Sequence, residues 1–196
     1  MYNCIFTAHC TEDFCDKSCP ILAETSYLLE RNGISMNSSV FHRKQQYIDM
    51  TMRTLELADG HLRTVIATNT VDTAELLTYC AICKMWKGSR LHCNVYNLKY
   101  SKYIDELKKS WSTKHDSDDL EYMRIWSTSA KVLVISNLDY VNFGDFESQT
   151  LLTLLQTRMG ERLTTIIVTP VVNSLVGKGM FFTKLQALLA EAVNGK

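Results

Sequence analysis

Four cysteines crowd the start of the chain, Cys4, Cys10, Cys15 and Cys19, with His9 beside Cys10 and Pro20 directly after Cys19. Four soft ligands in so short a segment can close a tetrahedron around zinc, and a piece this small folds only with such a staple. Their spacings are wider than those of paired C-x2-C knuckles. The Cys-x3-Cys-Pro ending also suits iron–sulfur ligation, where proline follows the last ligand. Zinc is the expected metal, an iron–sulfur cluster is the alternative, and reduced, unligated cysteine is the third option. Cys80 and Cys83 form a C-x2-C inside a helical pattern, but Ala81, Ile82 and Met85 around them read as core. Burial as small hydrophobes is therefore expected for this pair, and for Cys93 at the start of a strand. No cysteine has a nucleophile–base context, and an odd total of seven argues against full disulfide pairing.

A second set of positions matters for the chemistry it lacks. The apolar run Val132-Leu133-Val134-Ile135 reads as a buried strand leading into Ser136-Asn137. A strand over 64–67 leads into Thr68-Asn69-Thr70-Val71-Asp72-Thr73-Ala74. In a phosphate-binding loop, glycines let backbone N–H groups close on the phosphates, lysine neutralises them, and Ser or Thr ligates magnesium. The turn over 68–74 has no glycine and no lysine, and Asp72-Thr73-Ala74 stand at the Gly-Lys-Thr positions. Asp72 puts a carboxylate where phosphate charge must be neutralised. A one-residue shift restores nothing, because the next lysine is Lys84. Ser136 and Asn137 stand where a metal-binding acid and a water-polarising acid would be, and strand geometry points Asp139 elsewhere. No catalytic residue is expected, and ATP is not an expected ligand.

These positions need a frame. At 196 residues, 46% hydrophobic and 21% charged, the chain suits a globular domain of ordinary size with a small appendage. Lys+Arg and Asp+Glu balance at 21 each, which weighs against broad, non-specific coating of nucleic acid. No apolar run approaches the ~18 residues of a membrane span. The N-terminus shows no signal-peptide pattern, so a cytoplasmic address is expected.

Periodicity gives helices over 21–31 and 40–58, the latter with Phe41, Tyr47, Ile48, Met52 and Leu55 as its apolar positions. Strands then alternate with helices: strands over 64–67, 93–98, 132–135 and 164–169, and helices over 73–86, 101–109, 120–126, 145–158 and 181–193. The polar stretch 111–119 reads as a loop. Alternation of this kind implies parallel strands joined by right-handed crossovers, hence a three-layer α/β sandwich. The chain divides into a cysteine-rich segment (1–20), a helical linker region (21–60) and an α/β domain (61–196).

This order of elements resembles the AAA+ domain of the DnaC/DnaI/IstB group of helicase loaders and transposition ATPases, over residues 45–190. The strongest stretch is 120–170. There Glu121-Tyr122-Met123-Arg124-Ile125-Trp126 leads into the strand resembling Walker B, and Thr165-Ile166-Ile167-Val168-Thr169 resembles the sensor-1 strand. The resemblance implies a P-loop NTPase-like fold with degenerate motifs at Asp72, Thr73, Ala74, Ser136 and Asn137. Pro170 replaces a polar sensor, and Lys178 and Lys184 stand where the group places an arginine, without its planar fork. The group also implies a zinc-bearing N-terminal module that contacts the helicase.

One basic stretch has an adjacent aromatic: Lys108-Lys109 with Trp111, Lys114 and His115. It could touch single-stranded DNA weakly by stacking and phosphate contact, but Asp116, Asp118 and Asp119 follow at once and favour a solvated loop. Asp105-Glu106 and the pair Asp145 and Glu147 read as ordinary helix-surface acids. The leading functional expectation is a non-catalytic DNA-replication adaptor of phage or mobile-element type, binding a replicative helicase or initiator protein. The alternatives are an ATP-binding loader with atypical motifs and a zinc-stapled single-stranded DNA-binding protein.

Overall fold

A computed structural model describes residues 20–35, 38, 45–88 and 94–193. The candidate ligands Cys4, Cys10, Cys15 and Cys19 lie outside the described residues, as does Cys93. The elements run α1 (Pro20–Arg31), α2 (Gln45–Leu57), β1 (Leu62–Ile66), α3 (Thr70–Gly88), β2 (Val95–Lys99), α4 (Tyr100–Thr113), α5 (Asp118–Ser129), β3 (Val132–Ser136), α6 (Asp145–Gly160), β4 (Thr164–Thr169) and α7 (Met180–Val193). The strands form one all-parallel sheet in the order β1-β4-β3-β2.

The sheet is apolar on both faces because helices cover both. Leu133, Ile135 and Ile167 pack with residues of α4, α5, α6 and α7. Val134, Ile166 and Val168 point the other way and pack with Leu28, Leu29, Ile48, Leu55 and the inner face of α3. Thus α1 and α2, from the segment read as a linker region, share a core with the sheet. From β1 the chain crosses to the far edge at β2 through α3, then returns by single steps through α4–α5 and α6. Right-handed crossovers that run in opposite directions set their helices on opposite faces.

Several boundaries differ from those read in the sequence, each for a local reason. The expected loop 111–119 shrinks to 114–117, because Lys114 ends α4 in the left-handed region (φ 54°) and the Ser117 hydroxyl caps α5 by accepting the Leu120 N–H. Helix α3 begins at Thr70, since the Asn69 Oδ1 accepts the Asp72 N–H at 3.1 Å. Tyr47, read as an apolar face position, is exposed, whereas Ile48 and Leu55 are buried. Cys80 and Cys83 are fully buried and outside any disulfide, and burial pushes the Cys80 thiol up to about 12.

Glu147 corrects the reading of a surface acid: it is buried in the first turn of α6. Its Oε2 accepts the Gly144 N–H at 2.9 Å and its Oε1 meets the Lys108 ammonium at 2.6 Å. Burial alone would raise this carboxyl, but the hydrogen bonds from Lys108 and the backbone hold it below the usual carboxylate range. Arg158 is a second buried charge, and no carboxylate pairs with it among the described residues. Its guanidinium donates to the Thr165 hydroxyl (2.8 Å) and to the carbonyls of Ser127 (3.0 Å), Thr128 (3.2 Å) and Thr164 (2.8 Å). One side chain thereby ties α6, the C-terminus of α5 and the start of β4. No helix of the described residues is long and apolar enough to cross a membrane.

Candidate functional site

In open parallel sheets ligands bind at the C-terminal ends of the strands, where neighbouring strands send the chain to opposite faces. That point here lies between β1 and β4. The chain leaves β1 for α3 on one face and leaves β4 for α7 on the other. The five positions read as a degenerate nucleotide site lie at this end of the sheet, three in the first turns of α3 after β1 and two at the end of β3, with β4 between the two strands.

The β1 side is short and closed on itself. Only residues 67–69 link β1 to α3, against the roughly eight residues of a phosphate loop. Asp72 and Thr73 sit half-buried in the first turn of α3, and Ala74 is buried against the core. The N–H groups of Asp72 and Thr73 are taken by the Asn69 side chain and carbonyl. The helix end that would face a phosphate therefore carries its own cap and a carboxylate.

The β3–β4 side is covered. Ser136 is buried, and Asn137 turns the chain out of β3 in the left-handed region (φ 62°). Two residues beyond the Ile135–Ile167 pair, Asn137 follows the end of β3 and Thr169 ends β4. The Thr169 Oγ1 and Asn137 Oδ1 are sheltered from solvent without a hydrogen-bond partner among the described residues. Asp139 is exposed in the short 3-10 turn that follows.

Beyond these strand ends the two outgoing loops clasp one another. The Phe143 N–H donates to the Val176 carbonyl and the Lys178 N–H donates to the Phe143 carbonyl, both at 2.9 Å. Phe143 is fully buried, stacked between Tyr100 (6.0 Å) and Phe182 (5.7 Å). Gly177 is required at this crossing, because a Cβ there would stand 2.6 Å from the Phe143 Cβ and from a Phe182 ring carbon. Lys178 and Lys184 are exposed, and the Lys184 ammonium lies 5.8 Å from the Phe181 ring centroid.

Several large apolar side chains are exposed at this end, among polar ones such as Asn69, Asp139 and Lys178. Ile66 at the end of β1, Val71 in the first turn of α3, Tyr140 after β3, and Val171, Val176 and Met180 after β4 are all exposed large hydrophobic residues. Tyr140 (71%), Val176 (67%) and Met180 (62%) are among the most exposed of their kind. Isolated exposed apolar residues are ordinary, but a concentration at one end of a molecule marks an interaction surface. Sequence reading missed this rim, since an apolar residue in a loop carries no sign of whether it faces in or out.

The basic stretch, weighed as a weak DNA contact but read as a solvated loop, is exposed, and three of its side chains have partners within the fold. Lys108 pairs with Glu147, Lys109 with Glu106, and the Trp111 ring packs edge-on against Phe146 at 4.4 Å. Among the described residues no group of three or more His, Cys, Asp or Glu side chains is placed to hold a metal. Comparison with protein-family models, curated proteins and solved structures finds no match to this chain.

Proposed function

We propose that this chain is a non-catalytic adaptor of DNA replication, resembling a helicase loader, that acts by contact with a replicative helicase or initiator protein. The supporting observation is the exchange at the C-terminal end of the sheet: exposed Tyr140, Val171, Val176 and Met180 occupy the surface where phosphate-handling groups would be needed. The three-residue link into α3 and the clasp over β3 and β4 favour the same reading, because neither offers a cradle for a triphosphate. In this reading the P-loop-like frame is a scaffold, and the N-terminal cysteines hold one zinc that shapes a second contact surface.

The test is capture of purified replicative helicase by the full chain, read by sedimentation, alongside calorimetry with ATP and magnesium. Tyr140→Asp combined with Val176→Asp is expected to weaken capture at least about tenfold, some 1.4 kcal/mol, without changing the circular dichroism. Saturable micromolar ATP binding would move the protein to the class of active loaders. Undiminished capture by the double variant would take the interface off this end of the sheet.

A further inference from the structure

The outer edge of β2 is closed by a side chain rather than by another strand. In a parallel ladder, successive residues turn their backbone groups to opposite neighbours. The Val132 N–H donates to the Asn94 carbonyl, so Asn94 and Tyr96 face β3, while Val95 and Asn97 face outward. Among the described residues no strand lies on that side. The Asn32 amide takes the place instead: its Oδ1 accepts the Asn97 N–H at 2.7 Å, and its Nδ2 donates to the Val95 carbonyl at 3.4 Å. A residue of an added parallel strand would make the same two bonds, giving its N–H to carbonyl 95 and its carbonyl to N–H 97. Asn32 thus stands in for one residue of a further strand.

The end of α1 holds that amide still. Gly33 turns the chain in the left-handed region (φ 70°), its N–H donates to the Glu30 carbonyl, and the Ile34 N–H donates to the Leu29 carbonyl. This is the bond pattern of a Schellman stop. Leu28, Leu29 and Ile34 are buried, and the Arg31 guanidinium carbon lies 3.6 Å from the centroid of the Trp126 ring on α5. The Lys99 ammonium stands 3.6 Å from where a Cβ on Gly33 would be, at the negative end of the α1 dipole. Asn32 Nδ2 also donates to the Leu28 carbonyl at 2.7 Å. That bond and the Gly33 turn suffice to end the helix; the two bonds to β2 act on β2. Asn97 is 6% exposed, and without Asn32 its N–H would be a sheltered donor with nothing to meet.

We infer that Asn32 is an edge guard that keeps β2 from pairing with the β2 of a second copy of this chain. An open edge is a template for another strand. Two copies related by a two-fold axis meet edge to edge antiparallel, and the surface each presents must complement itself. Pairing centred on Asn97 meets that condition, because its outward N–H and carbonyl would face the carbonyl and N–H of the same residue in the other copy.

Sedimentation velocity of the full chain over about 5–200 µM, with hydrogen exchange resolved at single amides, tests this. The wild type is expected to stay monomeric with a slowly exchanging Asn97 amide. Asn32→Ala is expected to dimerise at least about tenfold more tightly than wild type. Its Asn97 amide should exchange fast when dilute and slowly again in the dimer. Asn32→Ser is the second variant: it keeps a hydroxyl donor for the Leu28 carbonyl, is too short to bridge to β2, and should behave alike. A folded variant that stays monomeric at about 200 µM overturns the assignment. So does a wild type that dimerises as tightly as the variants, or association that leaves the Asn97 amide fast and so lies elsewhere on the surface. A wild-type Asn97 amide that exchanges as fast as those of solvated loops overturns it whether or not the variants fold.

Discussion

Replacing Arg158 with methionine keeps a long unbranched stem in the core while removing every donor of the guanidinium. The wild-type side chain is fully buried and reaches four acceptors at 2.8–3.2 Å. Burial lowers its pKa to about 10, so it carries its charge at neutral pH. Hydrogen bonds to a charged group contribute about 1.5–3 kcal/mol each, but the cost of removing the guanidinium from water offsets much of that sum. The difference between wild type and variant is dominated by the acceptors left behind. Ser127 and Thr128 present carbonyls at the C-terminus of α5, which has no basic residue in its own last turn, and Thr164 presents a third. Stranding three such groups at about 1–3 kcal/mol each, with partial relaxation, gives a loss of about 3–5 kcal/mol. Set against a total stability of about 5–15 kcal/mol, that is a large fraction. Urea unfolding followed by tryptophan fluorescence reads it as a midpoint lowered by about 1–2 M. Arg158→Lys should fall between, because one ammonium cannot span both the α5 carbonyls and Thr164. A loss below about 1 kcal/mol in Arg158→Met would show that apolar packing serves as well as the clamp, and the reasoning would fail.

Gly177→Ala forces a methyl into the clasp, where its nearest neighbours would be 2.6 Å away, and should cost about 1–3 kcal/mol. Gly160→Ala, with nothing within 4 Å, is the control and should be neutral in the same thermal scan. Glu147→Gln tests the buried carboxylate. Its folded pKa lies below the ordinary value, so its stabilisation is present above about pH 4.3 and is lost as pH falls through the folded value. A gap of about 1 kcal/mol between wild type and variant at pH 7, discounted because Lys108 is half exposed, should close as the carboxylate is protonated in acid; a gap independent of pH would contradict the ion pair. Elemental analysis of the purified chain should give about one zinc, lost when Cys10 and Cys15 are both changed to serine; metal retained in that variant would break the ligand assignment.

The alternation of elements was legible because each buried strand is a short apolar run with polar punctuation on either side. The reading of β4 over 164–169 coincides with the observed strand, as all six residues are buried. Boundaries set by one side-chain contact were not legible: Asn69 starts α3 early, and Ser117 draws α5 back to Asp118. The reading of Asp72, Thr73, Ala74, Ser136 and Asn137 as degenerate positions rests on residue type alone, since a missing glycine or lysine needs no coordinates. Their surroundings could not be found in that way. The burial of Thr169, the loop crossing at Gly177 and the partners of Arg158 depend on segments far apart in the chain. Glu147 shows the limit most plainly, because a glutamate at the third position of a helix has the same local sequence whether or not Lys108 stands over it.

The pairing of β1 with β4 also fixes when the sheet can close as the chain is made. Leu62 finds its partner at Thr165, about a hundred residues later, and β1 has no other strand beside it among the described residues. At about 5–20 residues per second, β1 and the helices around it wait some 5–20 s on the ribosome before β4 is synthesised. Through that interval Val65 and the inner face of α3 have neither Ile166 nor Val168 to pack against. A nascent chain stalled before residue 164 should remain a substrate for holding chaperones, and release should follow the emergence of one six-residue strand.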